Sequence, residues 1–367
     1  MRAAVLRQPL QPLQIEDLEL EAPHAGELRV RVEAAGVCHS DYHYMQGHIT
    51  CPLPVVLGHE GAGIVEETGP GSTGDIAVGD RVAFMWRPRC GKCTACIAGN
   101  PILCVTARVQ ASTGGLPDGT TRLRAGDAAV HHFLGVSCFA EQVVVSERSV
   151  VKVPADVPPE IAAIAGCAVV TGVGALLNVV RGVAGHPVVI FGAGGVGLSA
   201  VLGAQLVGAD PIAVVDVDAA RLALATELGA TDSVDGSELD VREKLSAIAP
   251  DGFDWAIEAV GLPSTLEQAF ASLGAGGTVV ALGLAPADSG FQVPINQLVQ
   301  RQKRIVGSLY GSANPLIDIP RIFRLYSSGR LPLQRLLGER FPLSDINAAY
   351  DRLAHGGIGR MIVVPSE

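Results

Sequence analysis

Aromatic side chains are scarce in this chain, 4% of 367 residues, and a surplus of positive charge is missing altogether, the formal net charge being −10. Binders of nucleic acid or of anionic membranes normally present a basic face, so this balance argues against both partners; it leaves open a locally positive pocket for an anionic cofactor. Also missing is an uninterrupted apolar run long enough to cross a bilayer. The closest, Ile161 to Val180, is broken by Gly166, Gly172, Gly174 and Asn178. The opening Met1-Arg2-Ala3 shows no signal-peptide pattern, which leads to the expectation of a reducing, cytoplasmic setting where disulfides are rare. Low-complexity tails and internal repeats are absent as well.

What is plentiful is glycine, 44 residues, within a 48% apolar composition. With so few aromatics, that suits a Val/Ala/Gly-rich parallel sheet covered by helices. The length exceeds what one average core supports, so two domains are expected. From Met1 to about Val153, short apolar runs such as Leu28 to Val32, Gly63 to Val65 and Gln142 to Val145 alternate with Gly, Pro and Asp, and read as a mostly antiparallel β domain. After Pro154 to Pro159 the texture changes. Val188 to Phe191 reads as a buried strand, Leu198 to Val207 as a helix and Ile212 to Asp216 as a second strand; a helix from Arg221 to Leu228 and strands at Phe253 to Glu258 and Gly277 to Gly283 follow. This alternation predicts an α/β doubly wound parallel sheet of the Rossmann type. The tail ends on an apolar run, Met361 to Val364, and is expected to complete the first domain. The boundaries so read are 1–165 and 166–305, with 306–367 as the returning C-terminal segment.

Cysteine is concentrated in two sets. Cys90, Cys93, Cys96 and Cys104 lie within a lobe at about residues 88–106, and two-residue gaps let neighbouring thiolates converge on one tetrahedral ion of the zinc type. Four thiolates leave no vacancy, so such a site is structural. Free or paired thiols, or a nucleic-acid zinc ribbon, are the alternatives, and the reducing setting and acidic charge weigh against them. The second set, Cys38, His59 and Cys167, is scattered, and each member alone reads as ordinary packing. Beside a cofactor fold and a metal lobe the three together suggest an open metal site.

Gly192, Gly194, Gly195 and Gly197 follow a strand and open a helix, the context in which a glycine-rich turn binds a dinucleotide. Gly192 permits the tight turn, Gly194 lets backbone approach a pyrophosphate, and Gly197 allows close helix packing. Asp216 ends the next strand, where a carboxylate accepts ribose hydroxyls and repels a 2′-phosphate, so NAD is favoured over NADP. Asp218 adds to this bias, whereas Arg221 suits either the ribose edge or a phosphate.

Taken together, Gly36-Val37-Cys38, Gly58-His59-Glu60, the cysteine lobe, Gly166-Cys167, the glycine turn, Asp216 and Arg360 resemble the zinc-dependent alcohol dehydrogenases of the medium-chain dehydrogenase/reductase superfamily, over essentially the whole length. Pro117 to Arg122 and His131 to Gly135 further resemble the long-loop branch that includes dimeric alcohol dehydrogenases and thiol-dependent formaldehyde dehydrogenases. The resemblance implies a GroES-like catalytic domain, two zinc ions per subunit, NAD and a homodimer. It makes Cys38, His59 and Cys167 the catalytic zinc ligands with Glu60 and Asp41 close by, and gives Ser40 and His43 a proton relay through the nicotinamide ribose. Thr171 and Val196 then pack the nicotinamide, and His39 and Arg360 meet the pyrophosphate. Because Cys38 and His59 come from one domain and Cys167 from the border of the other, the zinc is expected where NAD and alcohol meet.

Trp86, Phe133, Leu134, Leu284 and Leu309 match substrate-lining positions. Arg108 coincides with the arginine that the thiol-adduct branch uses on a substrate carboxylate. The loop His48 to Pro52 is shorter than in that branch and lacks its acidic residues, which speaks against glutathione. The expectation is interconversion of medium-chain or aromatic primary alcohols and aldehydes. A thiol-adduct formaldehyde dehydrogenase, an oxidoreductase with permanently bound NAD and a non-catalytic dinucleotide binder are the alternatives.

Overall fold

The computed structural model describes residues 1–72 and 75–366, which form two compact units: Met1–Cys167 with Asn314–Glu367, and Ala168–Ala313. The boundaries expected after residues 165 and 305 thus move to Cys167 and Ala313. Both shifts have a local cause. The chain is helical from Pro159 through Val179, so no turn residue marks the crossing between units. At the other end, the tight turn Leu309–Ser312, with Tyr310 at φ 56 and Gly311 at φ 65, is tied into the second unit by Asn178 Nδ2 donating to Gly311 O at 3.1 Å.

That long helix also corrects the reading of its glycines as breaks. With 21 residues and a mean hydropathy of 2.0 it is long and apolar enough to cross a membrane, yet 89% of its most apolar window is buried inside the protein. Its apolarity is core packing. Gly166 and Gly172 act as close-approach points: a Cβ on Gly166 would lie 2.3 Å from Phe84 O, and one on Gly172 2.3 Å from Val196 O.

In the first unit the strand Glu27–Gly36 is the hub of a seven-stranded sheet, pairing antiparallel with Gly61–Thr68, with Gln142–Ser146 and with the C-terminal strand Arg360–Val364. The C-terminal segment therefore returns to the middle of this sheet. A six-stranded sheet built on Arg2–Leu6 packs with it around a core that includes Val30, Val32, Phe84, Phe139 and Met361. The second unit is one parallel six-stranded sheet. Its order is Asp232–Asp235, Ile212–Asp216, Val188–Phe191, Phe253–Glu258, Leu273–Ala281, Arg304–Gly307. Strand order reverses beside Val188–Phe191, and ligands of such sheets bind at the carboxyl ends of the strands at this switch.

Candidate metal and cofactor sites

Cys38 leaves the hub strand with extended backbone, φ −116 and ψ 143, and caps the helix His39–Met45, its Sγ accepting from Ser40 N at 3.5 Å. His59 precedes the strand Gly61–Thr68 on a segment where Gly58 takes φ 90. Cys167 sits in a widened π-helical turn, Ala165–Val169, inside the long helix. Such single-turn bulges re-aim a side chain at functional sites. Their donor atoms lie within 4.8 Å of one another, with Cys167 Sγ 3.3 Å from His59 Nε2. All three residues belong to the first unit, Cys167 as its last residue before the crossing, and not to the far side of a domain border.

Asp41 sets the histidine. It is fully buried, accepts from Gly58 N at 3.0 Å, and lies 3.2 Å from His59 Nδ1, so the imidazole turns Nε2 toward the cysteines. A carboxylate behind a histidine in this way fixes its tautomer for metal binding. The Cys167 thiol, donating to Cys38, holds the Cys38 thiol well below its ordinary pKa, and the Arg360 guanidinium assists; Cys167 is pushed up by the same contact and by burial. Two thiols sharing one proton beside an oriented imidazole are a donor set that fits zinc.

Glu60 is not part of that set. Its buried carboxylate accepts from Arg360 Nε at 2.6 Å, so the expected proximity to metal becomes an ion pair beside it. Gly36 makes room, since a Cβ there would lie 2.2 Å from Glu60 Oε2. Arg360 is only 4% exposed, and its Nη2 is buried with no hydrogen-bond partner among the described residues.

The compact lobe also gathers its donors within 4.8 Å. Cys90 N donates to Cys104 Sγ at 3.2 Å and Cys93 N to Cys90 Sγ at 3.3 Å, while Cys93 and Cys104 sulfurs stand 3.9 Å apart, far beyond a disulfide bond. Backbone N–H groups around Cys93, those of Cys96 and Val105 foremost, bring its thiol down to about 6. Thiolate-stabilising amides and unbonded sulfurs fit a closed tetrathiolate zinc. A third converging group, His24, Glu27 and Asp118, is instead bridged by a cation of the chain, with Arg122 Nη2 at 2.7 Å from both carboxylates.

In the second unit, a Cβ on Gly197 would strike Gly192 O at 1.7 Å, and Gly192 takes φ 93. A Cβ on Gly194 would meet nothing within 4 Å. Protein packing therefore demands the outer two glycines, and the bare face at Gly194, before the helix Gly195–Leu206, is the space a pyrophosphate needs. Asp216 Oδ2 accepts from Ala193 N at 2.6 Å and Oδ1 from Asp218 N at 2.9 Å, which fastens the turn to the second strand. Arg221 is half-buried and 3.9 Å from Asp218. Val196 and Thr171 lie in this unit too.

Around His59 the rings of Trp86 and Phe133 stand edge-on at 5.9 and 5.7 Å, and Tyr44 meets Phe133 at 4.7 Å. Tyr44 was not among the residues expected here, though it lies four positions after Ser40 on the same helix face. Burial, reinforced by Cys51 and Asp41, pushes its phenol up to about 12, so it stays neutral. Leu134 packs on the same core. Arg108 lies on the exposed side of the helix Val105–Thr113, and the buried polar residue there is Gln110, against Gly135. Leu284 and Leu309 belong to the second unit, Leu284 being 45% exposed. His39 is exposed, and Ser40 and His43 are partly exposed on the capped helix.

Known proteins agree with this chemistry. The family described as "Alcohol dehydrogenase GroES-like domain" matches residues 24–155, and "Zinc-binding dehydrogenase" matches residues 195–327. An NDMA-dependent alcohol dehydrogenase of Amycolatopsis methanolica is 37% identical over 100% of this chain and 99% of its own length. Among solved structures, an alcohol dehydrogenase zinc-binding domain protein from Burkholderia ambifaria aligns with TM-score 0.93 and 36% identity, covering 99% of this chain and 98% of its own. Benzyl alcohol dehydrogenase from Acinetobacter calcoaceticus aligns with TM-score 0.93 and 34% identity over the same shares. A thiol–imidazole donor set, a thiolate lobe and a dinucleotide turn, matched end to end by such relatives, make this chain a member of the zinc-dependent alcohol dehydrogenases of the medium-chain dehydrogenase/reductase superfamily.

Proposed function

We propose that this enzyme interconverts primary aromatic alcohols and their aldehydes with NAD. The observation that carries the substrate class is the frame of Trp86, Phe133 and Tyr44 gathered around His59, because edge-on rings form walls on which a flat ring stacks. The likeness to a protein named benzyl alcohol dehydrogenase supports the same class. Cys38, His59 and Cys167 hold the catalytic zinc and the lobe holds the structural one. When bound, zinc supplies Lewis acidity toward an alcohol oxygen and NAD supplies the hydride acceptor. The chain's own residues do the rest. Asp41 orients His59, the rings exclude water, and Ser40 takes the alcohol proton and passes it toward His43, one helical turn on.

A panel of alcohols and aldehydes assayed with NAD, with NADP and with an artificial acceptor, alongside metal analysis, tests this. Benzylic substrates are expected to have the highest kcat/KM, with NAD preferred because of Asp216. Best turnover on short aliphatic alcohols would remove the aromatic assignment. A second reading is favoured by the likeness to an enzyme named for NDMA: NAD stays bound and an external acceptor reoxidises it in place. Nucleotide released on denaturing the isolated protein separates the two. The thiol-adduct reading rests on Arg108, exposed on its helix, and turnover that Arg108→Ala leaves unchanged removes it.

A cytoplasmic homodimer completes the proposal. The outer strand of the parallel sheet, Arg304–Gly307, is mostly exposed, and Val299 and Ile295 nearby are 66% and 74% exposed. An open edge flanked by apolar side chains is suited to pairing across a two-fold axis. Sedimentation equilibrium at micromolar protein is expected to give twice the chain mass, and Gly307→Pro, which removes an outward N–H because it is the next residue, Ser308, that donates inward to Ala281 O, to shift it toward the monomer.

A further inference from the structure

The helix His39–Met45 ends in a turn at Gly47, φ 71, that folds the next residue back: His48 N donates to His43 O at 2.9 Å. This backbone bond fixes the two imidazoles together, with Nδ1 of His43 3.2 Å from Nδ1 of His48 and ring centroids 5.5 Å apart. Two Nδ1 atoms at that distance need one proton between them, because one ring must donate and the other accept. His43 is partly exposed and His48 exposed.

We propose that His48 is the outer member of a two-histidine proton relay, carrying to solvent the proton that His43 receives. The inference rests on the Ser40–His43 reading above. In alcohol oxidation His43 enters as the Nδ1–H tautomer. A proton arrives at its Nε2, the Nδ1 proton passes to His48 Nδ1, and the Nε2 proton of His48 leaves to water. One proton enters, one leaves, and no electrons move. Aldehyde reduction runs the same transfers inward, and the exposed rings recover their tautomers by exchange with water. The charges facing the pair are each ring's own partner and, farther off, the Cys38 thiol. Burial and the neighbouring His48 hold His43 below its ordinary pKa, which keeps it ready to accept.

The test is His48→Gln, an exposed substitution that leaves the fold intact. Single-turnover formation of reduced nicotinamide, read by absorbance whether or not the cofactor departs, is expected to slow about five- to tenfold in dilute, bulky buffer and to recover with added imidazole. Wild-type rates are expected to ignore imidazole. NMR of the imidazole C–H protons is expected to show the His43 midpoint rising in His48→Gln, because the neighbouring ring helps to hold it down. An unchanged rate, or a loss that imidazole does not restore, overturns the proposal, as does a His43 midpoint that His48→Gln leaves unmoved. His43→Gln separates the levels. If it slows turnover and His48→Gln does not, only the outer member falls; if it too is silent, the Ser40–His43 reading falls with it.

Discussion

Cys38→Ser is expected to lower kcat/KM about a thousandfold, some 4 kcal/mol of barrier, while the bound zinc falls from two ions per subunit to one. A neutral serine hydroxyl is a poor ligand for a borderline-soft ion, and only His59 and Cys167 would remain as donors. Fold loss is not the reason. Serine is among the preferred helix N-caps, so the helix His39–Met45 keeps its start, and Ser40 N keeps an acceptor. The lobe lies elsewhere in the chain and keeps its ion. Metal analysis together with circular dichroism checks this: unchanged secondary structure with half the zinc is the expected pair of readings. Full zinc content with near-normal turnover would remove Cys38 from the site.

Arg360→Met is expected to cost about 3–5 kcal/mol of stability, because it strands the Glu60 carboxylate in the interior. Neither partner has an alternative in water: Glu60 is 0% exposed and Arg360 4%. The guanidinium also faces the thiols of Cys38 and Cys167, so its loss weakens the thiolates that bind metal. Adding Glu60→Gln removes the orphaned charge, and the double variant is expected to regain most of the loss. Urea denaturation of the wild type, both single variants and the double variant measures the coupling. Additive losses would mean that the pair is not a unit.

Legibility in the sequence followed locality. The glycine turn, the carboxylate at Asp216 and the thiolate lobe are short-range patterns whose geometry is dictated within a few residues, and each could be read directly. The hub position of Arg360–Val364 was visible only as an apolar run, because its pairing with Glu27–Gly36 depends on the whole first unit. Glu60 and Arg360 are 300 residues apart, so nothing in the spacing announces their contact. Tyr44 and His48 lay next to motif residues, yet their partners, Phe133 and His43, are set by a loop fold and a helix end. The crossing at Cys167 was hidden because a continuous helix carries no punctuation.

The two cysteine sets differ in how much chain a metal must close. In the lobe, Cys90 and Cys104 are 14 residues apart, whereas His59 and Cys167 are separated by 108. Closing the longer link in an unfolded chain costs about 2 kcal/mol more in loop entropy. The lobe's donors thus need little of the fold to converge, whereas Cys38, His59 and Cys167 meet only once their distant segments have packed together. The lobe is therefore expected to load zinc earlier in folding than the reaction centre, an order that metal uptake followed during refolding checks.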